Sequence, residues 1–514
     1  MKFIKGQNRT QSFLFPVSLE QSISHDNEVR VIDLFVESLS LKEYEFDMDF
    51  IENGRPAYHP SDLLKLFIYG YLNRLRSSRV LEKESKRNIE VMWLLKSLQP
   101  DHNTISNFRK DNSKAIKKVF RATVQIAKHF ELIGGKLIAG DSTKLRAQNS
   151  KKNNFNQKKI DRHVTYIDNK LEEYNHALSQ QDNDNKEFIQ KEIEKHQERK
   201  NKYKELEKQL QDTDESQIST SDPESRQMII RNNITEVAYN VQTTVDAKHN
   251  IPIDYKVTNN NDSKAMGNMV RRAKSILRTN DFTALYDKGY HTGSEMKIAQ
   301  KLGINTIVAI PDVASSTPNK SYCVANFLYN KEDDTYACPE HHTLSTNGSW
   351  YVKNSGKHRT NIRVKHYKTK DCKSCQKLNE CTKNTRGRGR VIERSEYAAY
   401  VEQNRINVEN NKNAYKRRQA IVEHPYGTIK RQWGFSYILT KQGKARASAD
   451  VGLMFTAYNL RRIINILGHD VFKKYLSVLV YYILSIFVQI RLILRRFAEC
   501  IFLKYICKLN FNYC

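Results

Sequence analysis

Two short aliphatic runs in this chain each end on an aspartate, and no other feature constrains the fold as much. Leu137-Ile138-Ala139-Gly140 leads into Asp141, and Phe282-Thr283-Ala284-Leu285-Tyr286 leads into Asp287. Short apolar runs of this length read as buried strands, and acids at their ends sit at the rim of a sheet in an α/β protein. A third acid, Glu423, opens Glu423-His424-Pro425-Tyr426-Gly427-Thr428-Ile429-Lys430-Arg431 in a basic stretch. Two carboxylates at strand ends, joined by one on a helix or loop, can converge on a pair of Mg²⁺ (or Mn²⁺) ions. Such a pair activates a water or hydroxyl and stabilises the leaving oxygen of a phosphodiester. Asp141, Asp287 and Glu423 are therefore the candidate catalytic and metal-holding residues.

At 514 residues the chain has room for two or three domains, each with its own core. Its 85 Lys and Arg against 57 Asp and Glu leave a formal charge of +28. Cations that neutralise phosphates release condensed counterions, so this excess points to nucleic acid as partner. The N-terminus has no long apolar core and no small-residue cleavage site, so no secretory signal is expected. One apolar stretch, 475–490, is shorter than the roughly 20 residues needed to span a bilayer and holds Ser477, Ser485 and Gln489. It reads as a buried or partner-facing helix, and a cytoplasmic protein with no membrane contact is expected.

Residues 1–135 read as helical. Ser61 is expected to cap a helix with Leu63, Leu64, Phe67, Ile68, Leu72 and Leu75 on one face. Helices over 80–95 and 104–120 follow, separated by Pro100 with Asp101 and Asn103 as cap residues. The segment 104–110 alternates apolar anchors with polar side chains, Arg109 and Lys110 among them, as a helix-turn-helix reader presents them to a major groove. Residues 156–211 predict two antiparallel helices, a charged hairpin inserted into the domain. Strands over 237–245 and 251–257 form a hairpin. Helices over 265–277 and 294–302 alternate with strands ending at Asp287 and Ile310, which predicts an α/β fold.

Four of the eight cysteines, Cys338, Cys372, Cys375 and Cys381, cluster in the segment 323–390. Cys372-x2-Cys375 is a metal-clip spacing, and four thiolates can bind Zn²⁺ tetrahedrally at about 2.3 Å. His341 or His342 makes a Cys₃His set an available variant. Four ligands leave no open coordination position, so the expected role is a structural zinc knuckle.

In these contexts the three acids acquire a resemblance. Asp141 in GDSTK, Asp287 in DKGY and Glu423 in EHPYGTIK resemble the Asp-Asp-Glu triad of transposases from bacterial insertion sequences. More narrowly, they resemble the subgroup with a cysteine-rich insert ahead of the catalytic Glu. The likeness runs from about residue 54 to 466. Tyr415, Arg418, Glu423 and Lys430 resemble the Tyr-Arg-Glu-Lys signature of these enzymes. Lys430 falls at the expected distance, but the gap from Arg418 to Glu423 is one residue longer than the pattern prescribes.

The resemblance implies a ribonuclease-H-like catalytic domain with a mixed sheet over 136–466. It also implies an all-α DNA-binding domain over 1–135 and a helical tail over 467–514. The implied activity is cleavage at the ends of an element and strand transfer into target DNA. The implied partners are double-stranded DNA, as terminal inverted repeats and target, and a second copy of the chain in a synaptic homodimer at the nucleoid. Lys144, Arg418, Lys430 and Arg431 join Arg109 and Lys110 as expected DNA contacts, gripping phosphates rather than reading bases. Two rival readings are a repressor descended from such an enzyme and a metal-dependent nuclease without strand transfer.

Overall fold

The computed structural model describes residues 18–48, 56–180, 186–213, 215–231, 234–311, 317–355, 358–384, 389–483 and 485. Along the chain the N-terminal helices are α1 (Glu28–Glu37), α2 (Pro60–Leu72), α3 (Ser78–Arg87), α4 (Ile89–Leu94), α5 (His102–Asp111) and α6 (Ser113–His129). Then come β1 (Leu137–Arg146), β2 (Asn154–Phe155), α7 (Gln157–Gln180), α8 (Lys186–Asp212), β3 (Ile218–Ser219), β4 (Arg226–Arg231), β5 (Ile234–Asp246) and β6 (Ile251–Thr258). Next are α9 (Met266–Leu277), β7 (Thr283–Tyr286), α10 (Gly293–Lys301) and β8 (Asn305–Val308). Short strands β9 (Leu328–Asn330), β10 (Thr335–Ala337), β11 (Thr343–Leu344), β12 (Tyr351–Ser355) and β13 (His358–Tyr367) lead to α11 (Leu378–Cys381) and β14 (Ile392–Ser395). The chain continues through α12 (Ala398–Asn410), α13 (Lys412–Tyr426) and α14 (Lys444–Leu467).

The chain divides into two compact units. The first comprises Met1–Gly134, Ser142–Asn260 and Ile421–Cys514, and the second Gly135–Asp141 and Asn261–Ala420. Strand β1 begins in the second unit and ends in the first.

In the first unit, α14 is the central element. It lies buried from Ala447 to Leu460 and packs on α2, α5, α6 and β6. Close packing demands a glycine at Gly452, because a Cβ there would meet the Tyr255 hydroxyl at 2.5 Å. Strands β4, β5 and β6 pair antiparallel, with Asp246 opposite Ile251 at the closed end of the β5–β6 hairpin. Helices α7 and α8 pack on each other as the expected charged hairpin.

Three local expectations are corrected here. The cap of α2 is His59, whose ring accepts from the Ser61 amide at 3.3 Å, while Pro60 fills the first turn and Ser61 is buried. The helix expected over 80–95 is split at Asn88. That side chain accepts from the Glu90 and Val91 amides and starts α4, and its own extended backbone ends α3. The helix expected over 104–120 is likewise two, interrupted at Asn112, while Asp101 caps α5 as its position implied. The chain is helical again over 469–483, which takes in the first nine residues of the apolar stretch 475–490; residues 484 and 486–514 lie outside the described residues. Among those residues no helix is long and apolar enough to cross a membrane.

In the second unit, β1, β7 and β8 pair in parallel; α9 leads into β7, and α10 connects β7 to β8. Asn404 on α12, 2% exposed, clamps β8: it accepts from the Val308 amide at 2.9 Å and donates to the Val308 carbonyl at 2.8 Å. The remainder is a β-rich insert, β9–β10–β11 and β12–β13–β14, around a core of Phe327, Tyr336, Leu344, Tyr367 and Ile392. The second unit thus holds parallel strands beside an antiparallel insert, and the fold is α/β with strands of both senses.

Candidate active site

Backbone register places the first two acids together. Leu137 pairs with Thr283, Ile138 with Ala284 and Ala139 with Leu285. The pairing ends two residues before each acid, and Asp141 and Asp287 both act electrostatically on Arg418. Gly140 makes the approach possible: a Cβ there would lie 2.0 Å from the Tyr286 ring, so any side chain would force the residue before Asp287 away. The turn after β7 then fixes Asp287. Its Oδ1 accepts from the Gly289 amide at 2.9 Å as the cap of a single 3₁₀ turn, Lys288–Tyr290.

A cation already lies against this pair. Arg418 on α13 reaches Asp141, its Nη1 lying 3.3 Å from Oδ2, with the Arg side chain only 15% exposed. Burial works against the guanidinium charge, but Asp141 above all, then Tyr415 and Asp287, hold its pKa above the ordinary value. Burial raises the Tyr415 hydroxyl in turn. Arg418 is therefore engaged on the acids rather than free in solvent.

Lys430 is held in the first unit. Helix α13 contains Pro425, whose missing N–H leaves a gap in the hydrogen-bond ladder, and the chain runs on as a wide π-helical stretch, Gly427–Gln432. From that stretch Lys430 donates to Thr143 Oγ1 at 3.0 Å and to the Lys144 carbonyl at 3.3 Å, both just past Asp141 in sequence. Burial, followed by the charges of Lys144 and Arg431, lowers its pKa. Lys144 itself donates to Ser142, and Arg431 is exposed.

Glu423 lies on α13 in the first unit and is exposed. Five positions on an α-helix turn about 500°, so the extra residue puts Glu423 about 140° around the helix from Arg418. Three of the other glutamates in the preceding basic stretch are committed elsewhere: Glu393 to Lys353, Glu396 to Arg363 and Glu402 to Arg394.

One expected DNA contact is corrected. Arg109 is 4% exposed, and its Nη1 donates to the Tyr71 hydroxyl at 3.1 Å and the Arg76 carbonyl at 3.0 Å. Asp450, fully buried, accepts from Tyr71 and lies 3.7 Å from Arg76. Arg109 thus belongs to a buried network that ties α5 to α14 within one unit, and it has no reach into a groove. Its neighbour Lys110 is partly exposed and bonds to Asn107 and Asp111 on its own helix.

The four clustered cysteines converge. Cys338, Cys372, Cys375 and Cys381 line one cavity of about 20 Å³, with Glu340 and His342 beside them. The His342 amide donates to Cys338 Sγ at 3.3 Å, and His341 turns the chain there with φ of 62°. Gly389, with φ of 72°, lets the chain pass Cys372, where a Cβ would come within 2.5 Å of the Cys372 Cβ. Burial raises the Cys381 thiol, and the charges of the other three cysteines push the same way. Among the described residues, no three or more His, Cys, Asp or Glu side chains are arranged to hold a metal ion as they stand. Loading either cluster would therefore require side chains to move.

The sequence reading missed the Asn404 clamp and the Gly140–Tyr286 contact. Neither carries a motif; an asparagine in a polar helix and a glycine before an acid become informative only when their partners are known.

Two family models match the chain: "Transposase domain (DUF772)" over residues 17–111 and "Transposase DDE domain" over residues 337–464. The second spans the four cysteines, Arg418, Glu423 and Lys430. Among solved structures, a piggyBac transposase synaptic complex with hairpin DNA is similar at 10% identity, covering 91% of this chain and 79% of that one. Its TM-score is 0.27, and it carries no weight in the assignment. No curated protein matches. The two matched models identify the chain as a DDE transposase, an enzyme that acts on DNA. It is of the insertion-sequence type.

Proposed function

We propose that Asp141, Asp287 and Glu423 form the catalytic centre of a ribonuclease-H-like domain that cuts the ends of an insertion sequence and joins them to target DNA. The observation that carries this reading is the parallel pairing of β1 with β7, which ends two residues before Asp141 and Asp287, with both acids acting on Arg418. The donor chemistry fits a divalent metal: hard carboxylate oxygens, at a spot where a guanidinium already balances their charge. When bound, two Mg²⁺ (or Mn²⁺) would activate the attacking water or 3′-hydroxyl and stabilise the departing oxygen. The protein's part is to neutralise and position. The carboxylates anchor, and Arg418 leaves Asp141 to grip a phosphate beside the scissile bond. Lys430, half-buried against Thr143 and the Lys144 carbonyl, holds the next phosphate, with Lys144 and Arg431 at the edge.

In this reading the helices of 1–135 contact the terminal repeats, with Lys110 rather than Arg109 on the exposed side of α5. The hairpin over 156–211 and the insert over 323–390 are additions to a catalytic domain running to about residue 466. The four cysteines bind one Zn²⁺ as a structural knuckle, the convergence of their thiols on one small cavity being the support. Two copies of the chain hold two element ends in the cytoplasm, at the nucleoid.

The decisive experiment replaces each acid by its amide and follows both products on a labelled element end. Each of Asp141→Asn, Asp287→Asn and Glu423→Gln should abolish cleavage and joining together, by about 10³-fold or more, with duplex binding intact; double variants should be no worse. If Glu423→Gln keeps activity, the third ligand lies elsewhere on the basic stretch. Wild-type protein that cuts without joining would establish the nuclease, and protein that binds without cutting the repressor.

A further inference from the structure

We infer that the cysteine-rich insert carries a second DNA-contact surface on the β12–β13 hairpin, with Trp350 and Tyr351 as a stacking platform and Arg363, Lys368 and Lys370 as phosphate contacts. It rests on the DNA-transposase assignment and extends it to a surface outside the carboxylate centre.

Between Thr343 and Lys370 the sequence has seven Lys or Arg and no Asp or Glu. In a chain with 57 acids, so long an acid-free run gives a local field of one sign. The hairpin also leaves large apolar groups in solvent: Trp350 is 45% exposed, Tyr351 40% and Val352 51%. A merely solvated hairpin has no use for a bare indole. Here the rings are interleaved with cations. The Arg363 guanidinium lies 5.8 Å and the Lys365 ammonium 5.3 Å from the Trp350 ring centre, and Tyr351 stacks on His366 at 5.0 Å. Aromatic faces set among cations are the combination that binds unpaired or frayed nucleic acid, bases stacking while the charges follow the backbone.

Neighbouring acids offset part of the field. Glu393 pairs with Lys353 at 3.0 Å, Glu396 lies 3.5 Å from Arg363, and Asp334 holds Lys365 at 2.7 Å. Lys365 is structural, since Tyr329 and Tyr367 donate to the same Asp334 carboxylate. Lys368 and Lys370 are exposed, and Arg363 keeps 61% of its side chain in solvent. These three and the two rings make up the surface.

The test uses the full-length protein, an oligothymidylate and a duplex of random sequence at low salt. Trp350 is one of three tryptophans; Trp433 is buried and Trp93 is partly exposed on α4, so the hairpin's share of the indole quenching is the part that Trp350→Phe removes. Emission should be quenched as oligothymidylate is added; Trp350→Phe should remove part of that quenching, and Trp350→Ala, with unchanged Tm, should weaken binding about 10-fold, the loss of one stacked base. Arg363→Gln/Lys368→Gln/Lys370→Gln should lower the salt slope by up to about 2 for single strands. Should the triple variant fail to fold, Trp350→Ala decides alone. Unchanged affinity in Trp350→Ala, with quenching unchanged in Trp350→Phe, overturns the inference while leaving the catalytic reading intact. A wild-type chain that binds neither nucleic acid overturns both.

Discussion

The aspartate pair and the cysteine cluster both lie in the second unit, yet they are assembled in opposite ways. Asp141 and Asp287 each lie two residues past paired positions of the adjacent parallel strands β1 and β7, so a sheet supports both. The four cysteines come from a turn, a 3₁₀ segment, a short helix and the loop between them, around a core of only a few aromatic and aliphatic side chains. A site set by a sheet keeps its geometry when a ligand is removed. A site set by loops in a small polar insert relies on its ligand to hold the loops.

The largest expected effect tests the first half of that contrast. The amide replacements of Asp141 and Asp287 should eliminate chemistry while shifting stability by no more than about 1 kcal/mol, because relief of the repulsion between two carboxylates offsets the weakened pair with Arg418. A cooperative loss of structure in Asp141→Asn would show that the acids hold the sheet rather than the reverse. Next in size, Cys372→Ser/Cys375→Ser, or a strong chelator, should release about one Zn²⁺ per chain and melt the insert, with a loss of several kcal/mol confined to it. Wild-type protein that contains no zinc and is indifferent to chelator would remove the knuckle and with it the comparison.

Arg109 offers a smaller, independent check on a charge secured by the fold. Arg109→Ala strips a partner from the buried network of Tyr71, Arg76 and Asp450, and should cost about 3–5 kcal/mol of stability by chemical denaturation. Lys110→Ala should change stability by no more than about 0.5 kcal/mol and weaken element-end binding instead. Equal effects on stability would undo the correction. Smallest is Arg418. With its guanidinium removed from Asp141, Arg418→Gln should bind Mn²⁺ several-fold more tightly without DNA, since the ion no longer competes with a fixed charge. Calorimetry showing unchanged affinity would mean that Arg418 and the metal do not share the site.

Much of the architecture was readable before any coordinates. Apolar periodicity marked the N-terminal helices, the charged hairpin of α7 and α8, the β5–β6 hairpin and the strand that leads to Asp287, because burial of one face is a local pattern; Asp141, expected at a strand end, lies inside β1, which runs on to Arg146. Asp101 announced the start of α5 because capping is a local hydrogen bond. The breaks at Asn88 and Asn112 were not legible: asparagine is tolerated inside a helix, and whether it interrupts one depends on what the flanking turns pack against.

By itself the sequence determined residue chemistry and spacing: the acids in their contexts, the thiol cluster, the charge of +28 and the acid-free run in the insert. Only the tertiary structure decided which charges are available. It buried Arg109 among Tyr71, Arg76 and Asp450, and set Arg418 on Asp141. It also required Gly140 to be small so that Tyr286 could lie against it. The reason is physical. A side chain's charge and shape are written in the residue, whereas its solvation and its partners depend on strands and helices hundreds of positions apart, which only the folded chain brings into contact.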